Sequence, residues 1–177
     1  MPIRKDAGVA MMKLYNEVME TFPGLAGPPG TWTPGTLEIH VLNVGQGESQ
    51  LIIGPTGKTL LIGVFESNWN TNQGATWVAS EIRRITGGSH LDYVMASHWH
   101  LDHIAGTEVF DDSEIIANAR TAAWLTRFQA EIEAGALDGP PAIDPLVLPT
   151  RVFTDRLALT IGAIRVELIE ADIHSDD

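Results

Sequence analysis

Leu91-Asp92-Tyr93-Val94-Met95-Ala96-Ser97-His98-Trp99-His100-Leu101-Asp102-His103 is the stretch on which the reading of this chain turns. It opens as an apolar run of strand type and then packs three imidazoles and a carboxylate into positions 98–103, half of the six histidines in the chain. In an extended segment, side chains two apart leave the same face, so His98 and His100 can close on one ion. Asp102 and His103, just past the bend, can hold a second. Neutral imidazole with carboxylate suits zinc, with iron or manganese as alternatives, and the absence of cysteine removes thiolate ligands. A solvated polar loop rich in histidine is the plainer reading. The concentration of histidines and their place at a strand end, where sites are usually built, weigh against it.

The pattern His98-x-His100-x-Asp102-His103, followed by Ile104-Ala105-Gly106, resembles the signature loop of the metallo-β-lactamase superfamily of metal-dependent hydrolases. Val44-Gly45-Gln46-Gly47-Glu48-Ser49 with Gly57-Lys58-Thr59-Leu60-Leu61-Ile62 is similar to the opening hairpin of such domains, especially in the competence-type DNA-uptake branch. Phe153-Thr154-Asp155-Arg156-Leu157 through Ile173-His174-Ser175-Asp176 resembles the stretch that carries the family's third metal histidine. The resemblance therefore covers about residues 37–177. It implies an α/β fold, the first half of an αββα sandwich with a mixed sheet and flanking helices. It also implies a zinc-dependent hydrolase in which metal-bound hydroxide attacks an ester, amide or phosphoester of a small-molecule substrate. By the same resemblance His98, His100 and His174 hold a first metal and Asp102 and His103 a second, with Asp102 as the catalytic group that orients the hydroxide and moves its proton.

Two departures from the family pattern stand out. A bridging aspartate and a late histidine, which normally follow, have no counterpart, so the chain reads as truncated at its C-terminal end. Relatives usually carry Leu-Ile-Asp-x-Gly where this chain has Leu61-Ile62-Gly63-Val64-Phe65, so the carboxylate that orients metal-binding imidazoles is missing, with Glu66 as its nearest substitute. The rival reading is a truncated or degenerate homologue that binds metal without turnover and acts at most as an interaction module. Strands with apolar residues on both faces, as in Leu37-Glu38-Ile39-His40-Val41-Leu42, predict a sheet needing cover on each side. Self-association, or binding of a complementing fragment through an exposed sheet face, is therefore expected.

Outward from the loop, the organisation is legible. Val9 to Phe22 carries a helical apolar stripe ended by Pro23, and residues 23–36 form a Pro/Gly linker, so 1–36 reads as an appendage and 37–177 as the domain. Strands are predicted at 37–44, 50–53 and 59–64, the last two joined by Pro55-Thr56-Gly57-Lys58. Helices are predicted at 75–85 and 121–133, a strand at 113–117, and a hairpin of 157–161 and 164–169 about Gly162-Ala163.

The composition, with 177 residues, 44% hydrophobic and 19% charged, is that of an ordinary globular chain, and the net charge of −12 argues against nucleic acid as a partner. No apolar run is long enough to span a bilayer and no signal peptide is evident, so a cytoplasmic location is expected. His40 reads as a satisfied edge or core histidine and His90 as an exposed turn residue. The Gly45-x-Gly47 pair lacks the helix that a phosphate loop requires and reads as a turn. Trp77 fits the core stripe of its helix, Trp69 is the aromatic more apt to face substrate, and Asp176 and Asp177 read as solvated ends.

Overall fold

The computed structural model describes residues 32–42, 44, 49–63, 71–88, 90–104, 106–136 and 146–171. In chain order the elements are β1 (Glu38–Val41), β2 (Gln50–Ile53), β3 (Thr59–Ile62), α1 (Thr71–Thr86), β4 (Tyr93–Met95), the one-turn α2 (Leu101–Ile104), a 3-10 turn (Thr107–Phe110), β5 (Glu114–Asn118), α3 (Ala119–Glu133), β6 (Arg151–Phe153), β7 (Arg156–Ile161) and β8 (Ile164–Ile169). Strands β1 to β6 form one sheet in sequence order. The first three are antiparallel, joined by short connections, and from β3 onward neighbours run parallel. Parallel neighbours require a crossover, which is where the helices fall. The 9–22 helix, most of the 23–36 linker, the Gly45-x-Gly47 turn, Glu66, Trp69, the 139–141 loop, His174 and the two terminal aspartates lie outside the described residues.

Period-two alternation sends each strand's apolar residues to two different cores. Leu51, Ile53, Leu61, Val94 and Ile115 meet Ala75, Val78, Ala79, Ile82 and Ile85 of α1 on one face. On that same side Ala96 and Ala117 meet Leu125 and Phe128 of α3. The opposite face presents Leu60, Ile116 and Phe153 to Leu159, Ile161 and Leu168 of the β7–β8 hairpin. Both faces of the sheet are therefore apolar, as the strand sequences predict, and this chain's own hairpin covers part of the second. The hairpin can approach because of Gly54 at the end of β2, where an added Cβ would stand 2.6 Å from the Ile161 carbonyl carbon and 2.9 Å from its Cγ2.

Boundaries differ from the sequence expectation for local reasons. Helix α3 begins at Ala119 rather than 121 because Asn118 caps it, its Oδ1 accepting from the Thr121 N–H at 2.8 Å. Helix α1 starts earlier as well, at Thr71. Strand β6 was not expected from the sequence. It pairs parallel with β5, Ala117 opposite Val152, and Thr150 ties it in by donating its N–H to the Ile115 carbonyl at 2.9 Å. At the start of β3, Asp92 Oδ2 accepts from the Thr59 N–H at 2.8 Å, which pins the strand bearing the histidine loop to its neighbour.

Candidate metal centre

Beyond Met95 the chain leaves the sheet, bends at His98 and then turns into α2. This exit places His98 and His100 together, with Nε2 of the first 3.1 Å from Nδ1 of the second. The α2 turn returns His103 to them, its ring centroid 4.0 Å from that of His98 and 6.2 Å from that of His100. One ring nitrogen from each of the three histidines lies within 4.8 Å of the others, and all three side chains are half-buried.

A tetrahedral zinc with Zn–N bonds of about 2.0–2.1 Å holds its ligand nitrogens about 3.4 Å apart. The His98–His100 pair already meets that spacing for one ion, and His103, within 4.8 Å of both, stands close enough to serve an ion beside it. In the protein as it stands one ring donates its N–H proton to the other in a hydrogen bond. A cation between them replaces that proton, so the cluster fits a divalent metal by donor type and by geometry. Ser97 Oγ, 3.1 Å from His98 Nδ1, occupies the ring's other nitrogen and so directs Nε2 toward the cluster.

Trp99, between the two histidines, packs on α3. Its ring stacks on Trp124 of α3 at 4.7 Å and 23°, lies 6.0 Å from Phe128 and meets His100 edge-on at 4.6 Å. The residue between the two histidines thus anchors the loop to α3 while the histidines face the other way. Neither Ser97 nor Trp99 stood out in the sequence reading. For Trp99 the signal was present, because a bulky aromatic between two same-face ligands has to enter the core.

The remaining candidates divide clearly. The structure brings His98, His100 and His103 together, and Asp102 shares the α2 turn with His103. His40 is a satisfied edge histidine, its Nε2 3.0 Å from Glu38 Oε2. His90 is exposed, as expected, with Nδ1 3.3 Å from Asp112 Oδ2. Trp77 packs against the α1 core. Gly63, standing where relatives have an aspartate, has a φ of 68°, a left-handed backbone that favours glycine over any residue with a Cβ. A surface groove lined by Arg120, Ala123, Trp124 and Arg127 lies along α3, with the Arg127 guanidinium 5.0 Å over the Trp124 ring. Among the described residues no helix is long and apolar enough to cross a membrane.

Comparison with known proteins identifies the family and the fold. A family model described as the Metallo-beta-lactamase superfamily matches residues 42–172. Among solved structures, a Cronobacter sakazakii metallo-beta-lactamase with a HARLDQ motif is 21% identical, with a TM-score of 0.50, over 79% of this chain and 51% of its own. A metallo-beta-lactamase from Pontibacter korlensis is 15% identical over 74% of this chain and 54% of its own, TM-score 0.46. The inverting sec-alkylsulfatase Pisa1 from Pseudomonas is 15% identical over 75% of this chain and 26% of its own, TM-score 0.47. At such identities the likeness speaks to fold alone, and the chain spans about half the length of the first structures it matches, 50% and 51% for the two Cronobacter forms. No curated protein matches it.

Proposed function

This chain belongs to the metallo-β-lactamase superfamily, and from that premise we propose that it is a zinc-dependent hydrolase of a small ester, amide or phosphoester. The observation that carries the proposal is the convergence of His98, His100 and His103 at the end of β4. Bound there, zinc supplies Lewis acidity and makes water a competent nucleophile near neutral pH. The chain's own residues do the rest. His98 and His100 hold the first ion together with His174, while Asp102 and His103 serve the second. Ser97 fixes the His98 ring, Trp99 keeps the loop seated on α3, and Asp102 takes the proton of the attacking water.

A second reading, a homologue that binds metal without turnover, is favoured by Gly63, which supplies no carboxylate to orient the imidazoles. Metal analysis of protein purified without chelator, with turnover of a generic ester and phosphodiester, separates the two. Hydrolysis is expected to require about one zinc or more per chain and to be lost with the metal in His98→Ala and His174→Ala. Zinc at full stoichiometry without turnover supports the second reading. Unchanged zinc affinity in both variants refutes the ligand assignment.

A further inference from the structure

Strand β1 forms one end of the sheet, and among the described residues nothing pairs with its outer edge. Its two faces differ sharply. Glu38 and His40 turn toward the α1 side, where His40 sits opposite Leu51 and its Nε2 lies within hydrogen-bond distance of Glu38 Oε2, at 3.0 Å. The alternate positions carry Leu37, Ile39 and Val41, which are 45%, 60% and 76% exposed and rise toward the C-terminal end of the strand. Edges are normally protected by lysine, proline, a bulge or an inward-pointing charge on such positions. Lysine, proline and a bulge are absent from Leu37 to Val41, and the one inward-pointing charge, Glu38, is already partnered by His40.

The hydrogen-bonding phase of the strand sharpens the point. Leu42 donates its N–H to the Ser49 carbonyl at 2.8 Å, so residue 42 faces β2. In an antiparallel ladder the facing residues alternate, which assigns 38 and 40 to β2 as well. The N–H and C=O groups of 39 and 41, and of 37 by the same alternation, therefore point away from the sheet.

We propose that β1 is a self-complementary dimerisation edge that pairs antiparallel with β1 of a second copy, the two-fold axis passing beside Ile39. In this register Ile39 opposes Ile39 of the other copy and Leu37 opposes Val41, so every outward-pointing backbone group on these positions meets its counterpart. The apolar row on one chain lies beside the same row on the other. On the opposite face Glu38 of each copy comes to stand across from His40 of the other, at the closer, non-hydrogen-bonded spacing of about 4.5 Å between Cα atoms. Charge selects this register over its neighbours. Moving the axis to residue 38 sets two Glu38 carboxylates directly against each other, which is unfavourable, and moving it to residue 40 sets Glu38 across from Leu42 and gives up both Glu38–His40 contacts. A second copy is thus the occupant that matches the edge in backbone phase, apolar pattern and charge together.

The chain has no cysteine, so single cysteines report the register directly. On the axis, Cα atoms of a hydrogen-bonded pair stand about 5.5 Å apart, within disulfide range. Two copies of residue 41 are four positions apart along the strands, about 13 Å, and cannot be bridged. Under mild oxidation Ile39→Cys is expected to form a covalent dimer at least about tenfold faster than the more exposed Val41→Cys. Val41→Pro removes only an outward N–H, leaves the β1–β2 ladder intact, and should slow cross-linking of Ile39→Cys and shift sedimentation of the whole chain toward monomer. Glu38→Lys should weaken the dimer, and adding His40→Glu should restore it. Equal or faster cross-linking at Val41→Cys overturns the proposal even if Val41→Pro proves unfolded, and so does a folded Val41→Pro whose dimerisation is unchanged.

Discussion

Removing the Trp99 ring tests whether the histidine loop is held from behind. Trp→Ala at a fully buried site costs about 3–5 kcal/mol, and Trp99 is half-buried. Its contacts with Trp124 and Phe128 are two aromatic pairs of about 0.5–1.5 kcal/mol each, which together give about 1–3 kcal/mol. The two routes agree on about 2 kcal/mol, a fall in Tm of about 4–8 °C for a chain of this size. Because the same ring fixes the backbone between His98 and His100, Trp99→Ala should also weaken zinc binding by about tenfold, as loss of an orienting partner does elsewhere. Trp99→Phe, which keeps an aromatic stack, should recover most of both effects. Circular-dichroism melts of the metal-free protein and calorimetric zinc titration read the two quantities separately. Wild-type melting and wild-type zinc affinity in Trp99→Ala, or no difference between the Ala and Phe variants, would refute the claim that Trp99 seats the loop.

Three further outcomes are expected. Gly54→Ala drives a Cβ into the Ile161 backbone and should cost about 3 kcal/mol or more as the hairpin is pushed off the sheet, read as a lower Tm and greater binding of a hydrophobic dye. Gly63→Asp places a side chain on a left-handed backbone and should lower stability by about 1–2 kcal/mol in the metal-free protein; an unchanged melt would mean that the 63 peptide relaxes at no cost. Glu38 accepts from the backbone N–H of Thr33, which chiefly holds its carboxyl below the ordinary value of 4.5, with His40 and Thr36 adding to the effect. A carboxylate with a depressed folded pKa contributes stability above about pH 4.5 that is lost as the pH falls through its lower folded value. The Tm difference between wild type and Glu38→Gln should accordingly be present at neutral pH and vanish near pH 2, and a difference that persists there would assign the effect to packing.

The histidine loop, the mixed sheet and the two long helices were legible in the sequence because each rests on local chemistry. Strand exit, ligand type and two-residue spacing are written into Tyr93 to His103, and the apolar periods of 50–53, 59–64, 75–85 and 121–133 each repeat within one element. Alternation on 37–42 likewise announced a strand, although its α1-side positions 38 and 40 carry Glu38 and His40 and its apolar row at 37, 39 and 41 is exposed. Strand β6 was not legible: Arg151-Val152-Phe153 is too short to show a period and becomes a strand only because β5 offers it a parallel edge. Nor could the sequence by itself set the His103 ring beside those of His98 and His100. The α2 turn brings its ring back, and the direction of that turn depends on Trp99 finding Trp124 across 25 residues of chain. The reason glycine stands at 63 and 54 was equally hidden. A backbone φ and the approach of a hairpin more than a hundred residues away are properties of the folded chain, set by contacts between segments whose sequences carry no mark of each other.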